Sequence, residues 1–166
     1  MDRDSNMKIV FAILSFLTFG FATPTLAQAP APADIKAVTD CLTKAAEAGS
    51  FGGGCVGVIA DPCIKTASTK GSYIEDGKKC ATRENTVWIE LMRRELADVG
   101  KGASGKSLNT IKDAQKSFAQ SRDAFCPHFD NVDPEVAKGG SIYCRMQENA
   151  RRTLLLRQLA TAVNPH

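Results

Sequence analysis

Six cysteines, at positions 41, 55, 63, 80, 126 and 144, have the most chemistry to offer in a chain whose only histidines are His128 and His166. A structural zinc would want closely spaced pairs such as C-x-x-C, or histidines nearby, so that four ligands converge on one ion. No such spacing occurs, and the even set reads as three disulfides made in an oxidising compartment, with fifteen pairings open. Catalysis would need a nucleophile with its base, or two carboxylates in one cleft. His128, in Cys126-Pro127-His128-Phe129-Asp130, reads as a loop residue beside a disulfide. Glu84 and Glu90 are single carboxylates on a helical pattern. Gly52-Gly53-Gly54 lacks the following Gly-Lys-Ser/Thr of a phosphate-binding loop and reads as a flexible turn. The expectation is a protein without catalytic residues, metal or cofactor.

The elements that must hold these residues are helices. The stretch from Ile111 to Cys126 places Leu108, Ile111, Gln115, Phe118, Arg122 and Phe125 on one face at helical spacing. A Gln and an Arg on an apolar stripe need partners, since a buried charge without one costs several kcal/mol. Glu84 lies on the stripe of another helix, Lys78 to Val99, with Cys80, Val87, Trp88, Leu91, Met92, Leu96 and Val99. An ion pair between Glu84 and Arg122 is the most economical expectation. Trp88, the only tryptophan, reads as a core anchor together with Leu91 and Phe118.

Elsewhere, Ile35, Val38, Cys41, Leu42 and Ala45 keep helical spacing up to Gly49, and Asp61-Pro62 reads as an N-cap followed by proline at the first helical position. Residues 66–79 read as a polar loop. Ser107 is expected to cap the central helix. A last helix, from about Ser141 to Val163, carries Ile142, Met146, Asn149, Thr153, Leu156, Ala160 and Val163 on one face. No strand alternation persists. The fold class is therefore all-α: a small disulfide-stapled helical bundle of three long helices plus one or two shorter ones.

The first 27 residues read as a secretory signal peptide, with Lys8 before an apolar run from Ile9 to Ala22 and small residues up to Ala27 or Ala29. The run is short for a membrane span, so no membrane anchor is expected after cleavage. Cleavage after Ala27 would leave 139 of the 166 residues, which suits one domain. Residues 28–33 form a Pro/Ala linker, and 34–164 one helical domain. The net charge is +3 and the charges are interspersed, which does not suit a nucleic-acid binder. The expected location is periplasmic or secreted.

The spacing Ile111-x3-Gln115-x2-Phe118-x3-Arg122-Asp123-x2-Cys126, then Gly139-Gly140-Ser141, then Cys144-x7-Arg152-x3-Leu156, resembles the LprI-type lysozyme inhibitor family. Upstream, Cys63-x16-Cys80 followed by Trp88-x2-Leu91-Met92 looks like that family's first cysteine pair and its tryptophan-led helix. The likeness covers about residues 55–160. The family usually has Trp where Phe118 stands, Thr where Asn149 stands, and Asp, Asn and Tyr where Ile89, Arg93 and Leu96 stand. The resemblance implies a helical envelope domain whose partner is lysozyme or another peptidoglycan hydrolase. It implies the pairs Cys63–Cys80 and Cys126–Cys144, which leaves Cys41–Cys55 to close the first helix onto the glycine-rich turn. Gln115, Arg122, Asp123 and Arg152, with Glu84, would form a structural polar core. Recognition would fall to the loops 66–79 and 127–141, with Tyr73, His128 and Phe129 as contact residues. A structural or envelope-stress module without a hydrolase target is the alternative.

Overall fold

The computed structural model describes residues 29–68, 73–132 and 139–165, and the segment 1–27 expected to be a signal peptide lies outside them. The described residues form five α-helices and no strand: α1 Pro32–Glu47, α2 Ala60–Ser68, α3 Tyr73–Gly102, α4 Gly105–Phe125 and α5 Gly140–Val163. A 3-10 turn, Gly53–Cys55, links α1 to α2, and another, Cys126–Asn131, follows α4. Three of the helices are long, at 30, 21 and 24 residues, as expected of the bundle. No described helix is long and apolar enough to cross a membrane.

The packing centre is the α3–α5 pair, and α1 and α2 close over its first half. Val38 and Leu42 from α1, Ile64 from α2, Val87, Trp88 and Leu91 from α3, and Met146, Ala150 and Leu154 from α5 form one continuous core. A smaller cluster of Val99, Leu156 and Ala160 lies further along, with Ile111 packed half-buried against it. This corrects the weight placed on the stripe from 108 to 125: α4 buries no residue. Phe118 is half-buried rather than a core anchor, and two guanidinium groups, of Arg122 and Arg152, lie 5.7 and 5.6 Å from its ring centre. The physical reason is chemical. A face that alternates Phe with Gln and Arg cannot be desolvated fully, so it packs at the rim, where cation–π contacts are available.

All three disulfides form: Cys41–Cys55, Cys63–Cys80 and Cys126–Cys144. Several boundaries differ from expectation. Pro32 sits in the first turn of α1, where its missing N–H costs nothing, so the linker ends two residues early. Residues 66–68 complete α2 and Tyr73 opens α3, so most of the expected loop 66–79 is helical. Gly100 does not stop α3, which runs on to Gly102, and Gly102 comes so close to the end of α5 that a Cβ would strike the carbonyl of Val163. Ser104, not Ser107, holds the N-cap position of α4, without a side-chain hydrogen bond.

Candidate functional site at the stapled tip

The site is built outward from two carboxylates that cap helices far from them in sequence. Glu84 is fully buried. Its carboxylate accepts the backbone N–H of Gly57 at 2.7 Å, of Ile59 at 2.8 Å and of Ala60 at 2.7 Å, and the indole N–H of Trp88 at 2.8 Å. The donor of Ala60, the first residue of α2, left without a partner inside the helix, and those of Gly57 and Ile59 in the turn before it are thus satisfied from α3, where Asp61 is expected to cap. Gly57 adopts φ of +95°, and a Cβ there would collide with the Asp61 carboxylate. A side chain is excluded on both counts.

The expected Glu84–Arg122 pair does not form, because four N–H donors already satisfy the Glu84 carboxylate. Arg122 instead donates to Oδ1 of Asn149 at 2.7 Å and to both carboxylate oxygens of Asp123 at 3.0 Å. Asn149 passes the connection inward, its amide donating to Asn85 at 2.8 Å. Thr153 closes the set with bonds to the carbonyls of Asn149 and Trp88. Gln115 accepts from Arg152 at 2.7 Å and donates to the sulfur of Met92 at 3.0 Å. The polar set therefore exists, but Arg122, Gln115 and Arg152 occupy its half-buried rim, and Asp123 is at the surface. The buried members that the sequence reading missed are Asn85, Asn149 and Thr153. Asn149 and Thr153 stood on the α5 stripe, and two polar residues one turn apart on an apolar face were the available signal. Asp34 was also missed. It is buried at the start of α1, where Arg83 grips it with two hydrogen bonds.

The second distant cap is at the tip. Asp130, in the 3-10 turn after α4, accepts the backbone N–H of Ser141 at 2.9 Å, at the start of α5. The Ser141 backbone and hydroxyl hydrogen bonds hold the Asp130 carboxyl below its ordinary range. The buried Cys126–Cys144 disulfide ties the same turn to α5. Between cap and staple the turn carries exposed side chains. Phe125 is 55% exposed and meets Phe129 edge to face, with ring centres 5.6 Å apart and planes at 75°. His128 is exposed and Val132 is 41% exposed. Helical spacing places Phe125 on the inner stripe; the structure turns it outward.

Of the three expected contact residues, His128 and Phe129 come together at this tip. Tyr73 begins the long helix α3. Residues 133–138 of the expected loop 127–141 lie outside the described residues. His128 makes no hydrogen bond to a hydroxyl or carboxylate among the described residues, and no three of their His, Cys, Asp and Glu side chains are placed to hold a metal ion. The tip carries two aromatic rings, an imidazole and a valine on a stapled turn.

No protein-family model, curated protein or solved structure matches the chain.

Proposed function

We propose that the chain is an exported protein-binding domain, periplasmic or secreted, that inhibits a lysozyme or related peptidoglycan hydrolase by seating its Cys126–Cys144 tip against the enzyme's cleft. One observation carries the reading: the Phe125–Phe129 pair, with Phe125 exposed and Phe129 half-buried, stands on a turn fixed by a disulfide and a helix cap. Aromatic side chains dominate the energetics of protein interfaces. A turn that is already ordered loses little conformational entropy on docking. The target class comes from the resemblance of the Gln115-to-Cys126 string and the Cys63–Cys80 segment to LprI-type inhibitors, and three disulfides suit an oxidising compartment.

A turbidity assay tests this most directly. Oxidised protein at tens of micromolar should slow lysis of cell-wall suspensions by lysozyme or by the host's own peptidoglycan hydrolases. Full rates for both would overturn the inhibitor reading and leave a structural module.

A further inference from the structure

We infer that the groove between the end of α1 and the last turns of α5 binds small amphiphilic carboxylates, with Arg157 as the partner of the headgroup. This site goes beyond the tip: Arg157 lies about 20 Å further along α5 than Cys144, at 1.5 Å of rise per residue.

The groove holds about 400 Å³, within the range of sites that take small organic ligands. Leu42 and Ala46 of α1 form one wall. Leu154, Arg157, Gln158 and Thr161 form the other, and their spacing of three, four and seven residues puts them on one helical face. Phe51 closes the end and is 74% exposed. The backbone that carries it is ordered by the bonds from the Gly49 and Ser50 N–H groups back to α1 and by the Cys41–Cys55 disulfide. Gly52, with φ of +84°, packs so tightly that a Cβ would press into Leu42. An aromatic residue on an ordered turn beside an open apolar groove loses little backbone entropy on contact.

The charge in the groove sets the ligand class. Arg157 is the only charged residue lining it among the described residues. Its half-buried guanidinium makes no hydrogen bond or ion pair among the described residues. On its other side it borders a polar depression with Glu95 and Asp98. Asp98 is already bonded to Lys101, and Glu95 feels Arg157 only at longer range. A guanidinium with free donors beside an apolar slot matches a carboxylate carrying an aliphatic or aromatic body. Gln158 adds an amide donor at the same edge, whereas the Thr161 hydroxyl is already donated to the Arg157 carbonyl.

Calorimetry and backbone-amide NMR with hexanoate, octanoate and decanoate, on the oxidised protein, would test the inference. Saturable one-to-one binding is expected, tightening by up to about fourfold per added methylene, with shifts centred on residues 46–51 and 154–161. Arg157→Gln should weaken decanoate at least tenfold and Ala46→Trp, at an exposed position, should block it. Arg157→Lys should retain part of the affinity, and Phe129→Ala at the tip should leave it unchanged. Absence of saturable binding, equal affinity in wild type and Arg157→Gln, or equal binding of decyltrimethylammonium would each overturn the site.

Discussion

Glu84 accepts the indole N–H of Trp88, one helical turn further along α3, at 2.8 Å, with both side chains fully buried. The same carboxylate receives three backbone N–H groups from the first residue of α2 and the turn that leads into it. One residue therefore fixes the rotamer of the largest core side chain and the position of a helix that would otherwise enter the core with unsatisfied donors.

Glu84→Ala should be among the most damaging substitutions in the chain. Stranding a buried donor costs ~1–3 kcal/mol, and four lose their acceptor together, so a loss of about 4 kcal/mol or more is expected in urea unfolding. Glu84→Gln keeps one acceptor oxygen and should cost roughly half as much. An unchanged unfolding midpoint in Glu84→Ala would refute the capping arrangement.

Arg122→Ala should be milder, at ~1–2 kcal/mol, because it removes the outer partner of Asn149 while the bond to Asn85 survives. Arg122 and Glu84 share no hydrogen bond, so the double variant with Glu84→Gln should be additive within about 0.5 kcal/mol. A larger coupling energy would restore the direct ion pair.

The pH dependence should run in two opposite senses. Hydrogen bonds from Arg93 and Arg94 lower Glu90 to about 2, and those from Arg122 hold Asp123 below its ordinary range. A depressed carboxylate contributes stability above its unfolded pKa and loses it on protonation, so the melting temperature should fall as pH drops from about 4.5 towards 2. Burial pushes Glu95 up, against the pull of Arg157. Its cost is absent in acid and grows as the pH rises through its raised pKa, so Glu95→Gln should stabilise slightly at pH 7 and converge with wild type near pH 4. Thermal melts across pH would show both trends, and a Glu95→Gln protein less stable at neutral pH would contradict the second.

At the tip, Phe125→Ala and Phe129→Ala should each weaken hydrolase inhibition by about tenfold or more, in line with aromatic hot spots. Phe125 is more than half exposed, so its variant should melt close to wild type. Replacing Cys126 and Cys144 together by Ser should remove ~3 kcal/mol by the loop-entropy estimate for an 18-residue separation and also weaken inhibition. If inhibition survives all three changes, the partner surface lies elsewhere.

What the sequence determined by itself were features of period and punctuation. The apolar residues of α5, recurring at helical spacing and ending near Val163, fixed that helix, and Val87, Trp88 and Leu91 marked the buried face of α3. Such signals are local, because side chains three and four residues apart must share a face whatever lies opposite. The tertiary structure alone decided partners. Glu84 and Arg122 are oppositely charged, and each needs a partner, yet opposite charge does not specify who meets whom. Glu84 went to backbone donors 24 to 27 residues away, Asp130 to the start of α5 eleven residues on, and Asp34 to Arg83 across 49 residues. The Pro and Ser/Asp rules placed caps only where a residue could cap its own helix, so Asp61 and Ser107 were chosen and the distant carboxylates were not. Phe125 shows the same limit. Helical spacing puts it on the stripe with Phe118, but α4 lies at the rim and buries no residue, so the ring that pattern assigned inward is more than half exposed beside Phe129.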